Sequence, residues 1–218
     1  MTPKPTMDVE QCATGAPDLM RAIFDSTLAL ITLLLLSPVL LLIALAVALD
    51  SPGNPLYLAR RVGRFGKTFV MFKFRTMVPN AAQLGPPITG NRDPRVTRIG
   101  AFLRKTKLDE LPQFVNVLLG DMNLVGPRPE APEIVVLYTP SQRQILQVKP
   151  GMTGKVQIEG DESEKIPQES RADDYYVRNM MDRKLRSDLD YLRTRTLLTD
   201  IQILLSTALF VLRSFARR

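Results

Sequence analysis

Ser26 to Leu49 reads STLALITLLLLSPVLLLIALAVAL, twenty-four residues without a charge between Asp25 and Asp50. A helix needs roughly 20 apolar residues to cross a bilayer core, so this stretch is long enough to enter a membrane, and it decides the fold class. Pro38 sits near its centre. Proline has no N–H for the Leu34 carbonyl and its ring presses on that turn, so the helix is expected to bend there. Ser37 can bond back to a carbonyl one turn earlier and favour the bend. Two uses compete: a straight span, or a kinked helix that enters and leaves by the same leaflet. Lys4 and Arg21 precede the segment and Arg60, Arg61 and Arg64 follow it, so the positive-inside rule marks neither end for translocation. A cleaved secretory signal fits poorly. The run exceeds the usual ~7 to 15 residues, and Ala46-Val47-Ala48 comes too late for a cleavage site.

Outward from that segment, the far end holds a second apolar stretch, Ile201 to Leu212, charge-free for 12 residues. That is too short to span. Ile201, Leu204, Leu205, Ala208 and Leu212 fall at helical spacing, and Arg213, Arg217 and Arg218 follow. The pattern suits a helix lying in the headgroup plane with its apolar stripe down, or one packed on a core.

Composition removes several chemistries. The 218 residues contain no histidine and one cysteine, Cys12. A Ser-His-Asp triad, a Cys-His pair, an imidazole metal site, an internal disulfide and a thiolate zinc cage are all excluded. Catalysis must come from carboxylates, Lys, Arg, Tyr or hydroxyls. At roughly 150 residues per domain, the length allows one globular unit with an attached segment.

The charge is concentrated. Arg60 to Lys107 holds twelve Lys or Arg against one acid, Asp93, although the whole chain carries only +7. So one-sided a block reads as a surface for phosphates, whether of a nucleotide, a nucleic acid or lipid headgroups. Within it, Leu56 to Ala59 and Thr68 to Arg75 read as β-runs around the bend Arg61 to Lys67, a cationic hairpin. Val78 to Pro94, with four Pro and two Gly in 17 residues, is longer than most loops of compact domains and is a lid or disordered. From Arg95 the pattern turns helical. Glycine supplies positive φ in the turn Pro150-Gly151-Met152-Thr153-Gly154. Glu159 to Asp174 has seven acids against two bases and reads as a solvated loop without chemistry.

The distinctive chemistry is Leu108-Asp109-Glu110-Leu111-Pro112-Gln113. Pro112 is tolerated only near a helix start, so Asp109 and Glu110 are expected in a first turn, where the macrodipole favours ionised carboxylates. Beside a cationic block, such a carboxylate can attack phosphorus or hold a divalent metal that bridges phosphates. Acids in a first turn also serve as plain caps. Arg128, between Pro127 and Pro129, is a two-pronged donor held out at low entropy cost for a phosphate or for an acid.

These residues resemble the bacterial sugar transferases, the monotopic phosphoglycosyl transferases. The resemblance rests on Val62-Gly63-Arg64-Phe65-Gly66-Lys67, Lys73-Phe74-Arg75-Thr76-Met77, Asp93-Pro94-Arg95-Val96-Thr97-Arg98-Ile99-Gly100 and the Asp109-Glu110 motif. Asn116-Val117, Gly120-Asp121-Met122, Val125-Gly126-Pro127-Arg128-Pro129 and Lys149 to Gly154 continue it in order, from about Arg21 to Leu212. It implies transfer of a phosphosugar from a UDP-sugar to polyprenol phosphate with Mg2+, releasing UMP, at the cytoplasmic face of a bacterial inner membrane, as the first membrane step of a surface glycan. By the same resemblance Asp109 is the nucleophile that forms a covalent phosphosugar intermediate, Glu110 helps to bind Mg2+, and Arg128 clamps phosphate. Lys73, Arg75, Arg95 and Arg64 are the further phosphate-binding candidates. Ser37-Pro38 matches the break of a re-entrant helix.

The implied fold is α+β and mainly helical: a tail at 1–18, a re-entrant membrane helix kinked at Ser37-Pro38 over 19–50, and a compact cytoplasmic catalytic domain over 51–218. That domain has a small β-hairpin or sheet and ends in a membrane-surface helix. Ala59 stands where the family often has glutamine, and the long members' extra membrane-spanning region is not in these residues, so the match is to the small form. A homodimer stays open. The alternative is a non-catalytic membrane-anchored protein whose basic face grips anionic lipid or nucleic acid. Nucleic acid is disfavoured, because Phe65, Phe69, Phe72 and Phe74 lie in an alternating β-run that buries rings more often than it offers them for base stacking.

Overall fold

The computed structural model describes residues 16–85, 93–158, 166 and 172–216. Lys4, Cys12, most of the tail, the centre of the 78–94 loop and most of the acidic 159–174 stretch lie outside the described residues. The fold is mostly helical, with two small two-stranded sheets.

Helix α1 (Ala16–Asp50) is one element with Pro38 inside it. Ser37 Oγ donates to the Leu34 carbonyl at 2.9 Å, the back-bond expected of a serine before a proline. At 1.5 Å per residue α1 is about 52 Å long. Arg21, Asp25, Ala29, Leu33, Leu36, Leu40, Ile43 and Val47 are buried or half-buried and recur every three or four residues, a stripe facing the rest of the chain. Leu28 and Ala29 join the main core with Val117, Met122 and Leu124. Val47 forms a second cluster with Phe74 and Leu103. Both ends of α1 therefore rest on the same body.

Polar contacts fix those ends. Arg21 Nε donates to Asp200 Oδ2 at 3.1 Å and Asp25 Oδ2 accepts from Leu124 N at 3.1 Å. At the other end Asp50 Oδ2 accepts from Ile99 N at 3.3 Å.

Strands β1 (Leu56–Val62) and β2 (Thr68–Phe74) form the cationic hairpin, antiparallel with Leu56 opposite Phe74 and Val62 opposite Thr68. One face carries Tyr57, Ala59 and Arg61 beside Lys73, Met71 and Phe69. Ala59 and Met71 on that face sink into the core. After the short α2 (Ala81–Leu84) comes α3 (Arg98–Thr106), started by Thr97, whose Oγ1 accepts the Gly100 N–H at 3.0 Å. Helix α4 (Gln113–Leu118) follows, then β3 (Asn123–Val125) and α5 (Pro132–Val135). Strand β4 (Gly151–Thr153) pairs parallel with β3, and α6 (Lys155–Ile158), α7 (Ala172–Asn179) and α8 (Met181–Thr194) close the body.

Helix α9 (Leu197–Ala216) runs past both ends of the 12-residue stripe that the sequence reading takes as too short to span. Ile203 is buried and Leu204 packs on the core, while Leu198, Ile201, Leu205, Leu209 and Leu212 form an exposed apolar row three or four apart. Tyr191 OH donates to Asp200 Oδ1, so one aspartate ties α9 to both α8 and α1. Helices α1 and α9 are each long and apolar enough to cross a membrane.

Candidate active site

Asp109 and Glu110 stand on a single 3-10 turn, Leu108–Glu110, between α3 and α4. The turn is entered through Lys107, a non-glycine residue at φ 58°, a conformation that costs energy and re-aims the chain sharply. The sequence reading puts the two acids in the first turn of the next helix. In the structure they precede it, because Pro112 is the N-cap of α4 and needs no N–H there.

Glu110 is the anchor of the site. Lys73 Nζ, from β2, donates to Oε1 at 3.0 Å. Arg128 Nη2 donates to the same oxygen at 2.5 Å and Nη1 to Oε2 at 3.3 Å, a two-pronged charge-assisted pair. Burial of Glu110 works to raise its pKa, but the charges of Arg128 and then Lys73 outweigh that and hold it well below the usual carboxylate range. Asp109, with 7% of its surface exposed, moves the other way. Burial first, and then the Glu110 charge, push its carboxyl up to about 6, against Lys73, Lys107 and Arg104. The cationic block that the sequence suggests would keep Asp109 ionised is outweighed by burial, which a charge count does not register. Asp109 Oδ1 is buried without a hydrogen-bond partner. Neighbouring carboxylates with pKa values driven apart can take different roles.

Arg128 is held by the packing of two motifs. A Cβ built on Gly151 would lie 2.0 Å from the Gly126 nitrogen, so the segment Val125-Gly126-Pro127-Arg128 that leaves β3 rests directly on β4. Gly151 serves this close approach; among the described residues the positive-φ glycines are Gly53, Gly66 and Gly120, not Gly151 as the turn reading expects. Two residues past Arg128, the Glu130 carboxylate accepts from Lys184 Nζ at 2.6 Å and from Tyr176 OH at 2.5 Å. Its carbonyl accepts the Val62 N–H at 3.0 Å. Helices α7 and α8 thus bolt the arginine loop to the hairpin.

A profile described as bacterial sugar transferase matches residues 16–214. The chain belongs to that family. It is 41% identical over 202 residues to a UDP-glucose:undecaprenyl-phosphate glucose-1-phosphate transferase of Escherichia coli (strain K12), covering 89% of this chain and 40% of that protein. It is 38% identical over 197 residues to a transferase of the same description from Caulobacter vibrioides, covering 88% and 69%. An undecaprenyl-phosphate galactose phosphotransferase of Salmonella typhimurium is 36% identical over 209 residues, covering 89% and 40%. The chain thus spans about two fifths of the length of the first and last of these relatives.

In this bacterial sugar transferase, Lys73 and Arg128 meet at Glu110, whereas the other expected phosphate ligands have structural partners. Arg75 Nη2 and Nη1 donate to the Ser51 and Pro52 carbonyls at 2.5 and 3.0 Å, sealing the exit of α1. Arg95 pairs with Asp93 at 2.6 Å and caps the Ala81 carbonyl at 3.0 Å. Arg64 Nε donates to the Gln147 carbonyl at 2.9 Å. Charge density marks the block but not which cation finds a carbonyl.

Sequence reasoning missed residues that act at long range. Asn116, wholly buried, accepts the Phe72 N–H at 3.0 Å and donates to the Val70 carbonyl at 2.7 Å. It satisfies the open edge of β2 and locks α4 to it, setting Glu110 against Lys73. Gln113, also buried, leaves its Nε2 donor unpartnered. Asn116 and Gln113 lie within the motifs quoted above, which give them no role; Glu130 and Lys184 carry no such signal.

Glu110, expected as the metal ligand, has both oxygens on cations. Among the described residues no three Asp, Glu, Cys or His side chains converge on a metal position. Asp109 Oδ1, buried, is the unpartnered carboxylate oxygen of the pair. One carboxylate with substrate phosphates and water is an ordinary Mg2+ donor set, so Asp109 is the side chain of this turn that would hold Mg2+.

Proposed function

We propose that this protein transfers a phosphosugar from a UDP-sugar to undecaprenyl phosphate at the cytoplasmic surface of a bacterial membrane. The observation that carries the reading is the split pair: Asp109 with one unpartnered oxygen, beside Glu110 clamped by Lys73 and Arg128. The relatives' descriptions agree with it.

Asp109, as the carboxylate, attacks the sugar-bearing β-phosphorus of the donor. The bond from that phosphorus to the bridging oxygen breaks and UMP leaves, with the phosphosugar held on Asp109. A phosphate oxygen of undecaprenyl phosphate then attacks the same phosphorus, forming the lipid diphosphate sugar and freeing the carboxylate. Lys73 and Arg128 exchange Glu110 oxygens for phosphoryl oxygens as charge builds, and the unpartnered Gln113 Nε2 donates to one of them. Mg2+, when bound, would be held by the Asp109 carboxylate and would supply charge neutralisation for the diphosphate. Two displacements suit a soluble donor and a lipid acceptor that arrive from different sides.

The membrane assignment follows from energetics. Thirteen large apolar side chains of α1 are exposed. Even partial burial of each is worth on the order of 20 kcal/mol together, more than the roughly 5–15 kcal/mol that keeps a domain folded. A bilayer recovers that energy. The packing of both ends of α1 on one body supports a helix that bends at Pro38 and enters and leaves by the same leaflet, with α9 beside it and its apolar row down.

The test is reconstitution in detergent with undecaprenyl phosphate and a panel of UDP-sugars. UMP release together with a lipid-linked product is expected for at least one donor and is lost in Asp109→Asn. Absence of both products with every donor removes the reading.

A further inference from the structure

Four ionisable side chains that the transfer chemistry does not use meet where α1 and α9 begin. Arg21 and Asp25 come from α1, Asp200 from α9, and Arg195 from the link between α8 and α9. Arg21, Asp25 and Asp200 are buried. Asp200 Oδ2 accepts from Arg21 Nε at 3.1 Å and from Arg195 Nε at 3.4 Å, while Oδ1 accepts from the Tyr191 hydroxyl. Asp25 lies close enough to feel the charges of Arg195, Asp200 and Arg21. Its Oδ2 accepts the Leu124 N–H at 3.1 Å. The N–H groups of Asn123 and Gly126 on either side donate to the Pro150 and Thr153 carbonyls, so Asp25 closes the edge of β3 that β4 leaves open. Two acids balance two guanidiniums, and the cluster calls for no ligand. Its effect is to tie the start of α1 to the body.

These ties exist only when α1 begins on the side of the membrane where it ends. Asp50 is followed closely by β1, so that end of α1 stays with the body in either topology. Arg21 precedes Asp50 by 29 positions, about 44 Å along a helix, whereas the hydrocarbon core is ~30 Å thick. In a crossed α1, Arg21 lies past the far edge of that core, beyond the reach of Asp200. Crossing also withdraws Asp25 from the buried Leu124 N–H, which is then left unsatisfied, and pulls Leu28 and Ala29 out of the core.

We propose that Asp200 and Asp25 form a clasp that decides the topology of α1, holding its first turns against the body so that the helix turns back instead of crossing. The proposal rests on the same-leaflet reading above and names the side chains that enforce it. Two other influences act on the same choice: the bend at Pro38 and the cations on both flanks of the apolar run. The clasp is separable from them, because it depends on acids, and acids contribute little to the positive-inside rule.

The test uses the full chain in a Cys12→Ser background, with Lys4→Cys as the reporter of the start of α1 and Pro140→Cys, in a parallel series, as the reporter of the body. Inverted vesicles from an expressing bacterium are treated with an impermeant maleimide before and after detergent. Asp200→Ala, Asp25→Ala and the double variant are compared with the parent; all keep Pro38 and every Lys and Arg. The ratio of crossed to re-entrant chains is expected to rise in each single variant and about a hundredfold or more in the double, while the Pro140→Cys label stays outside. Asp200→Asn keeps the side-chain shape and an acceptor for Tyr191 but loses the charge that Arg21 meets; it gives a smaller rise, and it decides the matter where an alanine variant does not accumulate. Lys4→Cys labelling that stays on the side of the body in the double variant and in Asp200→Asn overturns the clasp and leaves the topology to Pro38 and the flanking cations. Labelling of Lys4→Cys from the far side in the parent chain removes the same-leaflet reading itself, and the clasp with it.

Discussion

Arg128 donates to both carboxylate oxygens of Glu110, at 2.5 and 3.3 Å, across eighteen residues of chain. With Lys73 on the same carboxylate, the pair keeps Glu110 charged in a buried place, and that charge lifts the pKa of Asp109 next door. The two cations are thereby stored beside the proposed nucleophile, on a carboxylate that a phosphate can displace.

Catalysis should follow the Asp109 proton. With the carboxyl pushed up to about 6 by burial and the carboxylate as the proposed nucleophile, kcat/KM is expected to fall about tenfold per pH unit below that value and to level off above it. Glu110→Gln removes the neighbouring negative charge, which shifts the rise to lower pH and lowers turnover at the plateau about 100-fold or more through misplaced cations. A wild-type profile flat between about pH 5 and 7 contradicts the assignment.

Stability should move against activity at this position. Asp109 holds its proton more tightly in the folded chain than in the unfolded one, whose value is 3.8. Its contribution is complete below that value and is lost as pH rises through about 6. Asp109→Asn, uncharged at every pH, should therefore abolish turnover yet stabilise the protein at neutral pH by on the order of 2 kcal/mol. Thermal unfolding in matched detergent reads this, and a lowered Tm at pH 7.5 speaks against it.

Lys184→Met tests the bolt behind the arginine loop. It leaves the Glu130 carboxylate buried without its ammonium partner, a change that costs about 3–5 kcal/mol. The loop loosens two residues from Arg128, so the donor KM rises. Lys184→Arg restores the charge and recovers part of both effects. An unchanged Tm in the methionine variant contradicts the role.

Topology has its own measurement. In a Cys12→Ser background, cysteines at Lys4→Cys and Pro140→Cys are expected to react with an impermeant maleimide from the same side of sealed vesicles. Labelling from opposite sides makes α1 a span and leaves the phosphoryl chemistry untouched.

Local chemistry was readable from the chain, and long-range pairing was not. The charge-free run Ser26 to Leu49 announces α1 because a bilayer-length apolar segment has few other uses. The alternating run from Thr68 announces β2, and β1 runs three residues past its expected end because Val62 is drawn into the core. Asp109, Glu110 and Arg128 stand out by residue type and by their prolines. What they touch depends on segments tens of residues away: Asn116 on the edge of β2, Lys184 under Glu130, Gly151 against Gly126. Arg75 and Arg95 look equivalent to Lys73 in sequence, yet one seals the end of α1 and the other holds Asp93. Burial, which sets the pKa of Asp109, is a property of the assembled fold alone.

The most direct measurement is the intact mass of the protein after incubation with a UDP-sugar and Mg2+ but no lipid acceptor. A mass increase equal to one phosphosugar, absent in Asp109→Asn and discharged by undecaprenyl phosphate, is the predicted result. UMP release without any adduct, or an adduct that survives in Asp109→Asn, would contradict a covalent role for this aspartate.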